Sequence, residues 1–559
     1  MESIKSLTHH GVLFPKEYKF QNFQFSSKLS PLAEEMLYSY ASKIETEYVK
    51  KPEFNINFYS CLKKELTVQQ QKLKFPDDFK KLFDEMNKYR DEHSVKNLTK
   101  EQKEERKQIS DENKKKYGFA KVNGIKEPLG NYTVEPPSIF IGRGDSPYIG
   151  LWKYKTEPED VIINFIPEKE SDKPPSPPKG HKWKEIISNP NITYIARYIE
   201  VIGKDDKLQP ILKNPKEVRF ASTSSITSKS DLKKYEKADT LLDNWDKVQK
   251  YIREGIDSDD KNTRECALIA WLIQYTSIRI GSEETENGVV GASTLKVKNV
   301  KIEETENNKN ENIKEAKQLF GGNKFYILHL NFIGKDSIEY SNSFIIPLYV
   351  ASALKKILKY KKENCKDNEK FEELMIFDVN ANQVNQFLGE CLPGLTAKVF
   401  RTAWAKKVLL EIYKPNDFVK NWPDEYKVLK LRILILDVSL RLNHKKTTKT
   451  ILNNVLEKLN NQIIKEAEKL ELLKEKLKDI KTDKSKKNMK ERIKKLEWKI
   501  KILQLKIEFA EKSYGINLST ALTNYINPKV IYDICKSKNI KLDKIYNKGL
   551  MERFKNIFK

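Results

Sequence analysis

The chain has 559 residues, of which 38% are hydrophobic and 10% aromatic, so it is too long for one compact core and predicts two to four structural units. No segment is apolar enough to span a membrane and the N-terminus MESIKSLTHHGVLF lacks the apolar stretch of a signal peptide, so we expect a soluble, intracellular protein. The formal net charge of +25 favours a polyanionic partner such as nucleic acid, because each cation placed on a phosphate releases condensed counterions.

Cysteine and histidine are scattered along the chain. The five cysteines form no CxxC pair, and the six histidines form no HExxH or HxH pattern. This spacing is unsuited to a disulfide scaffold or a thiolate zinc site, and it argues against a catalytic metal held by His and Cys.

Residues 1–225 are predicted to have mixed secondary structure. Apolar residues at helical spacing predict a helix within 30–49, and the highly charged segment 99–117 predicts a solvated connecting helix. A loop-rich region follows, with NYTVEPPSIFIGRGDSPYIGLWK and the proline-rich PPSPPKGHKWKE (174–185). Between these two segments, EDVIINFIP predicts a strand.

From about residue 226 the pattern becomes helical, and it is so again in LTAKVFRTAWAKKVLLEIY and KVLKLRILILDVSLRLNHKK. Between these helical stretches, KFYILHLNF (324–332) and IEYSNSFIIP alternate apolar and polar residues as strands do. The residues Gly334-Lys335-Asp336-Ser337 between them are typical of a turn. The sequence therefore predicts a β-hairpin with Lys335 on its turn.

Residues 449–512 have a different pattern, in which two apolar runs at helical spacing flank the polar segment KTDKSKKN (481–488). The pattern predicts an antiparallel helical hairpin with one apolar seam and basic outer faces, although an ordinary coiled-coil partner site fits it as well. The seam comprises Ile451, Val455, Leu459, Ile463, Leu470, Leu473, Leu477, Ile480, Met489, Ile493, Leu496, Ile500, Leu503 and Ile507. In the last segment, 513–559, Asn527 and Pro528 predict the N-cap and first turn of a helix.

Several motifs that bind nucleotides or metals are missing from the sequence. It contains no GxxxxGK[ST] and no GxGxxG after a strand, and the densest acidic run, GIDSDDKN, fits a surface loop. What remains is a set of basic residues followed by a tyrosine, in this order: Arg279 in SIRIGSEE, Lys335 in FIGKDSIEY, Arg401 in TAKVFRTAWA, His444 in LRLNHKK and Tyr525 in LTNYINP.

These residues and their flanking blocks resemble those of the eukaryotic type IB DNA topoisomerases, which place Arg, Lys, Arg, His and a nucleophilic Tyr in the same order. Further matching blocks are EPPSIFIGRGDSP, EPEDVIIN, PPSPPKGHKWKE, GLTAKVFRT and KIYNK. The resemblance therefore covers nearly the whole chain.

The resemblance implies a reaction in which Tyr525 attacks a backbone phosphodiester of DNA and forms a 3′-phosphotyrosyl bond. Arg279 and Arg401 would neutralise the non-bridging oxygens, because guanidinium groups stay charged and bind phosphate through a planar fork. His444 would donate a further hydrogen bond, and Lys335 would be the general acid that protonates the leaving 5′-oxygen. Fixed charges would take the place of metal ions, so we expect neither ATP nor a divalent metal as cofactor.

The resemblance also implies DNA contacts outside the catalytic set. Arg143 in FIGRG matches a minor-groove arginine, and Asp336 and Asn524 match positions beside the scissile step. These three residues are where camptothecin-type poisons would touch the protein. Lys398, three residues before Arg401 on the same helix face, and Lys153 are further candidates for DNA contact.

The expected architecture is a multidomain α+β protein with four parts. Residues 1–225 would form an N-terminal cap and DNA clamp, and 226–447 a mostly helical catalytic domain like that of tyrosine recombinases. Residues 448–512 would form a coiled-coil linker, and 513–559 a small helical C-terminal domain that carries Tyr525. We expect a monomer that binds double-stranded DNA and no membrane. It would reside in the nucleus if cellular, and in a viral factory or virion if virus-encoded, because the chain lacks the family's long charged N-terminal extension.

Two alternatives fit part of the pattern. A tyrosine recombinase or integrase shares the Arg, Lys, Arg and Tyr chemistry, but it usually has His where this chain has Lys398, and it has no long coiled insert before the tyrosine. A non-catalytic architectural DNA-binding protein would account for the charge alone, although all five catalytic residue types are present.

Overall fold

The computed structural model describes residues 4–25, 27–142, 146–281, 289–305, 311–334, 338–446 and 451–558. The chain forms two compact units, Met1–Ser230 and Asp231–Lys559. The fold is of the α+β class, as predicted from the sequence. None of the helices in the described ranges is both long enough and apolar enough to cross a membrane.

The first unit contains short helices and two sheets. Its helices are α1 (Pro31–Ala41), α2 (Pro52–Leu62), α3 (Lys80–Glu92) and α4 (Lys100–Tyr117), and helix α5 (Ser225–Asp243) begins at its end. Its strands are β1 (Leu7–His9), β2 (Phe119–Val122), β3 (Ile125–Pro128), β4 (Ser138–Ile139), β5 (Trp152–Lys153), β6 (Ile162–Asn164), β7 (Glu185–Ile187), β8 (Tyr194–Lys204) and β9 (Pro210–Arg219). The two sheets have the orders β1-β2-β3 and β4-β5-β8-β6-β7, with β9 paired to β8.

Three sequence predictions for the first unit are tested by these elements. The predicted solvated helix is α4, which buries none of its residues, and EDVIINFIP contains strand β6. The helix predicted within 30–49 is present but ends at Ala41. It begins where Ser30 Oγ accepts a hydrogen bond from the amide of Ala33, and the residues after Ala41 form turns.

The second unit is mostly helical. Its helices are α6 (Trp245–Ile256), α7 (Lys261–Thr276), α8 (Glu311–Phe320), α9 (Leu348–Glu363), α10 (Asn368–Glu373), α11 (Ala381–Cys391), α12 (Ala397–Ile412), α13 (Asp424–Arg441), α14 (Leu452–Asp479), α15 (Asp483–Ser513), α16 (Leu518–Asn524), α17 (Pro528–Lys538) and α18 (Lys548–Arg553). One antiparallel sheet contains β10 (Val300–Glu304), β11 (Phe325–Gly334) and β12 (Ile338–Pro347), in that order.

Helices α7 and α12 form the centre of the second unit. Eleven of the sixteen residues of α7 and ten of the sixteen in α12 are buried, with Arg401 among those of α12. Helices buried on most sides lack a polar face, so hydrophobic periodicity reveals little about them. Their burial gives the residues at the end of α7 and along α12 a rigid base.

The predicted β-hairpin is confirmed by the pairing of β11 with β12, which runs from Phe325 opposite Pro347 to Gly334 opposite Ile338. The predicted turn residues Lys335 and Asp336 lie outside the described residues. The strands nevertheless place Gly334 and Ile338, which flank this segment, side by side.

Helices α14 and α15 form the predicted antiparallel hairpin, in which Lys499 of α15 contacts Glu466 of α14 at 2.9 Å. The predicted seam residues are all buried or half-buried except Ile451, which precedes α14 and is exposed. The predicted polar break was too long, because α15 already begins at Asp483 and the helical residues Lys484 to Asn488 belong to it.

The two helices of the hairpin differ in charge. Helix α14 is neutral, with six Lys and six Asp or Glu, whereas α15 carries eleven Lys or Arg and five acidic residues. Only α15 therefore has the predicted basic character.

The base of the hairpin packs on α13. Trp498 of α15 lies edge-on to Tyr426, with ring centroids 5.2 Å apart, and tilted against Trp422 at 6.1 Å. Leu505 is buried with two apolar residues of α13, and Lys512 pairs with Asp437 at 3.2 Å. The C-terminal half of α15 is thus anchored to the helix that leads to His444.

Helices α16 to α18 pack against α12 and α13 in one apolar core that includes Tyr525. Asn527 caps α17 by accepting a hydrogen bond from the amide of Lys529, and Pro528 is the first residue of that helix, as predicted. The buried ammonium of Lys427 in α13 donates to the carbonyl oxygens of Lys538 and Asn539 at the end of α17. These contacts fix the C-terminal helices on α12 and α13.

Candidate active site

The end of α7 positions Arg279. Ser277 follows the helix with φ of +56°, a left-handed conformation that turns the chain out of the helix and costs a non-glycine residue about 1 kcal/mol or more. Its carbonyl oxygen accepts a hydrogen bond from the Arg401 guanidinium, and the carbonyl of Thr276 accepts one from the Tyr340 hydroxyl at 3.1 Å. The side chains of Arg401 and Tyr340 thus donate hydrogen bonds to carbonyl groups at the C-terminal end of α7 that have no partner within the helix.

The segment after Arg279 is fixed by close contact between two glycines. The carbonyl oxygen of Arg279 accepts a hydrogen bond from the amide of Ala292 at 2.8 Å. Gly281 has φ of +92°, and a Cβ atom on Gly291 would collide with the backbone of Gly281. Glycine is required at both positions for this approach, which fixes the backbone of Arg279 on both sides.

Arg401 joins this segment to a second one that carries His444. Its guanidinium donates to the carbonyl oxygen of Leu442 at 2.9 Å and lies 3.2 Å from Nε2 of His444. Asn443, between these two residues, has φ of +53° and turns the chain after α13. One buried side chain of α12 therefore binds both Ser277 and Leu442, the residues beside the two predicted catalytic positions.

Backbone pairing brings Tyr525 to the same place. The carbonyl oxygen of His444 accepts a hydrogen bond from the amide of Asn517 at 2.7 Å, and the amide of Lys446 donates to Gly515 at 2.7 Å. Asn517 also caps α16 with its side chain. Because Tyr525 directly follows α16, this pairing sets the position of the phenol relative to His444.

The four described catalytic candidates meet at one cleft or beside it. The ring of Tyr525 stacks on that of His444 with centroids 5.1 Å apart, and Cζ of Arg401 lies 5.0 Å from the Tyr525 centroid. Arg279 is exposed and lines the cleft together with Arg401 and His444. The cleft has a volume of about 110 Å³ and is also lined by Ser277, Ile278, Val290, Phe332, Gly334, Ile338, Tyr340, Leu442, Asn443, Lys445, Asn517 and Thr520.

The charges in this cluster change the acidity of its groups. Burial raises the pKa of the Tyr525 phenol, but the charges of Arg401 and Arg279, hydrogen bonding by Arg401 and the charge of Lys398 outweigh it and lower that pKa below its usual value. Burial and the two guanidinium groups lower the pKa of His444 to about 3. Burial also lowers the pKa of Arg401. At neutral pH His444 is therefore uncharged, and Tyr525 loses its proton more easily than a free tyrosine does.

Two buried nitrogen atoms of the site have no hydrogen-bond partner among the described residues, Nε of Arg401 and Nδ1 of His444. Since Nε2 of His444 faces a guanidinium donor, it acts as the acceptor, and Nδ1 then carries the proton. Both unpaired nitrogens are therefore donors. Unpaired buried donors are costly, so each requires an explanation, and an acceptor supplied by a ligand or substrate is one such explanation.

The low pKa of His444 predicts a stability loss in acid. Its value is about 6.5 in the unfolded chain and about 3 in the folded one, so the unfolded state binds more protons as the pH falls below 6.5. Above pH 6.5 the imidazole of His444 does not lower the free energy of unfolding. Between pH 6 and pH 4 its protonation in the unfolded chain should lower that free energy by about 2.5 kcal/mol. Urea unfolding of wild type and His444→Gln across this range measures the effect, because the variant should lose stability less steeply. A wild-type-minus-variant difference that does not change with pH would contradict it.

The structure also locates the predicted DNA-contact residues. Lys398 is exposed at the start of α12, and Asn524 is exposed at the end of α16, directly before Tyr525. Lys153 is buried in the first unit, and its ammonium lies 2.9 Å from Glu135 and 3.0 Å from Glu200. That ammonium is already occupied by two carboxylates, so its geometry gives the predicted DNA contact no support. Lys335, Asp336 and Arg143 lie outside the described residues.

Sequence reasoning missed the residues that support the site. Tyr340, Asn517 and Trp404 each hold a backbone segment of the cluster, and none belongs to the predicted set. The N-cap role of Asn517 could have been predicted from the sequence, because an asparagine directly before a helical stretch, three residues before Thr520, is typical of an N-cap. The other two act through contacts between distant segments, which spacing along the chain does not reveal.

Three family models match successive parts of the chain. The DNA binding fragment of eukaryotic DNA topoisomerase I matches residues 3–209, the catalytic core of that enzyme matches 223–477, and the C-terminal topoisomerase domain matches 490–557. The chain is 29% identical to DNA topoisomerase 1 of Homo sapiens over 98% of its own length and 70% of that protein. It is 30% identical to DNA topoisomerase 1 alpha of Arabidopsis thaliana over 98% of this chain and 58% of that protein, and 29% identical to DNA topoisomerase 1 of Xenopus laevis over 97% and 64%.

The segments matched by the family models contain the residues that cluster at the cleft. The matched segments leave only short gaps along the chain, and the catalytic-core match includes three of the clustered residues, Arg279, Arg401 and His444. The fourth, Tyr525, falls in the C-terminal match. The chain therefore belongs to the eukaryotic DNA topoisomerase I family, the type IB DNA topoisomerases.

Proposed function

We propose that this protein relaxes positive and negative supercoils by cutting one strand of duplex DNA with Tyr525 and resealing it. The phenol oxygen forms a bond to the scissile phosphorus as the bond from phosphorus to the 5′-oxygen breaks. This leaves a 3′-phosphotyrosyl link and a free 5′-hydroxyl, and the reverse reaction restores the strand. The observation that carries the proposal is the contact of the Tyr525 ring with both Arg401 and His444 beside a cleft that Arg279 also lines.

The local charges favour tyrosine as the nucleophile. A phenol at its ordinary pKa is mostly protonated at pH 7 and attacks slowly. At Tyr525 the neighbouring guanidinium groups stabilise the phenolate and lower the pKa despite burial. The same positive charges would attract the phosphate, so one arrangement prepares both reactants.

The developing charge of the transition state would meet fixed donors. Pentacoordinate phosphorus places extra negative charge on its non-bridging oxygens, which suits the guanidinium groups of Arg279 and Arg401. Nε of Arg401 and Nδ1 of His444 are donors that no described residue satisfies, and a phosphate in the cleft offers them acceptors. Because His444 is neutral at physiological pH, it would act as a hydrogen-bond donor and not as a charge.

The remaining roles rest on family membership and charge. Lys335 would protonate the leaving 5′-oxygen, and the reaction would need neither ATP nor a divalent metal. Arg143, Asp336, Asn524 and Lys398 would contact the DNA near the scissile step. Binding to duplex DNA accords with the net charge of +25 and with the first unit's match to a DNA binding fragment, and the protein would act as a monomer in the nucleus.

The helical hairpin would slow the rotation of the cut DNA by electrostatic attraction, and the charge difference between its helices makes this testable. Replacing Lys484, Lys487 and Lys494 of α15 by glutamate should weaken the attraction, so that supercoils are removed several-fold faster per cleavage event at low salt. Single-molecule relaxation under tension measures the rotation rate directly.

A matched variant controls for the change in net charge. Glutamate at Lys458, Lys465 and Lys474 reverses three equally exposed lysines on the neutral helix α14. We expect this variant to rotate nearly as wild type does. Equal acceleration by both triple variants, or none by either, would contradict a brake located on α15.

Relaxation of supercoiled plasmid in EDTA without nucleotide tests the proposed function as a whole. The protein should relax both positively and negatively supercoiled DNA, and detergent should trap it on the 3′ end of the nicked strand. Absence of relaxation, or attachment to the 5′ end, would overturn the proposal. Strand exchange between paired sites would instead indicate a recombinase.

A further inference from the structure

The contact between α7 and α12 extends one turn beyond the residues of the site. The indole Nε1 of Trp404 donates a hydrogen bond to the carbonyl oxygen of Gln274. Arg401 and Trp404 are three residues apart on α12, and the carbonyls that they bind are also three residues apart, Gln274 in the last turn of α7 and Ser277 directly after that helix. Residues three apart lie on one face of a helix, so two side chains one turn apart on α12 bind the last turn of α7 and the residue that follows it.

We propose that Trp404 is a positioning residue for Arg279: its indole N–H fixes the last turn of α7 and so sets where the Arg279 guanidinium lies in the cleft. The inference rests on the proposed function, in which that guanidinium contacts the scissile phosphate. Trp404 itself does not line the cleft, and its hydrogen bond to the carbonyl oxygen of Gln274 connects it to the backbone of α7.

The ring of Trp404 is held firmly enough to serve as an anchor. It is 8% exposed, and it packs edge-to-face against Trp245 with centroids 5.5 Å apart. The ammonium of Lys407 lies 5.1 Å from its centroid. A tryptophan locked by such contacts presents its N–H in one direction, and this donor has no competing acceptor function.

The last turn of α7 needs an anchor because it contains an unsatisfied side chain. Gln274 is 1% exposed, and neither its amide nitrogen nor its amide oxygen has a hydrogen-bond partner in the part of the chain that the structure describes. Each such group costs about 1–3 kcal/mol. The left-handed Ser277 adds strain three residues later. Without the indole contact, the turn could relax by moving, and Arg279 would move with it.

Replacing Trp404 with phenylalanine removes the donor and keeps an aromatic ring. A displacement of about 1 Å at a catalytic group costs roughly 10²-fold in rate, so we expect the variant to cleave 10- to 100-fold more slowly in single-turnover assays on a suicide duplex. DNA binding should change less than threefold. Trp245→Phe is the matched control, because it alters the packing around Trp404 but leaves the bond to Gln274.

A double-mutant cycle separates positioning from general destabilisation. If Trp404 acts through Arg279, Trp404→Phe should slow cleavage less than twofold in an Arg279→Lys background, where the guanidinium is already absent. Trp245→Phe should have the same small effect in both backgrounds. An equal loss from Trp404→Phe in both backgrounds, or no loss in either, would overturn the inference.

Hydrogen exchange gives a readout that is independent of activity. Amides of residues 274–281 should exchange about tenfold faster in Trp404→Phe than in wild type, and at the wild-type rate in Trp245→Phe. Unchanged exchange in both variants would also overturn the inference. If wild type itself formed no covalent adduct, the proposed function would fail and this inference with it, whereas an intact adduct with equal losses in both backgrounds would remove the inference alone.

Discussion

Replacing Tyr525 with phenylalanine should abolish relaxation and the covalent protein–DNA adduct. The change removes one oxygen atom, which is the only atom that would form the bond to phosphorus. Loss of a nucleophile that works with its neighbours as one unit typically lowers the rate by roughly 10⁵–10⁶-fold. Quantitative plasmid relaxation over several decades of enzyme concentration, with detergent trapping of the adduct, measures both losses.

The variant should still fold and bind DNA. The Tyr525 ring is 6% exposed and stacks on His444, and phenylalanine keeps that ring. Tyr514→Phe makes the same chemical change at a tyrosine that is 48% exposed after α15, and it should retain full activity. An adduct that persists in Tyr525→Phe would place the nucleophile at another residue and remove the basis of the proposed function.

The candidate site residues could be proposed from the sequence because their residue types and flanking blocks survive as short local patterns, and the structure places the four described ones together. The strands of the hairpin around Lys335, the hairpin of α14 and α15, and the cap of α17 by Asn527 were predicted for the same reason. Each depends on residues close together in the chain, where periodicity and capping preferences apply directly.

The hydrogen bonds that hold the segments of the site together could not be predicted in this way. Arg401 binds Ser277 and Leu442, which are 124 and 41 residues away, and Trp404 binds Gln274 at a separation of 130. No spacing rule relates such positions. The helical start of α15 was also misjudged, because packing and capping set helix ends more than composition does. Periodicity places helices well, but it does not reveal which buried polar groups hold them together.

Arg401→Lys should reduce both activity and stability. Lysine keeps the charge, but its single nitrogen cannot reproduce a planar fork that reaches Ser277, Leu442 and His444 at once. Loss of one donor to the transition state costs roughly 10²–10³-fold, and displacement of the two bound segments adds to this, so we expect cleavage to slow by roughly 10⁴-fold. The unsatisfied carbonyl groups should lower the free energy of unfolding by about 2–3 kcal/mol.

Arg279→Lys is the matched variant, because it makes the same substitution at the other arginine of the cleft. Arg279 is exposed, so its side chain contributes little to the fold. We expect cleavage by this variant to slow by roughly 10²–10³-fold with no measurable change in urea unfolding. The two arginines would then separate into one that serves the phosphate alone and one that also holds the cleft together. Equal stability of the two variants would show that the contacts of Arg401 with Ser277 and Leu442 do not support the fold, and its role would shrink to that of Arg279.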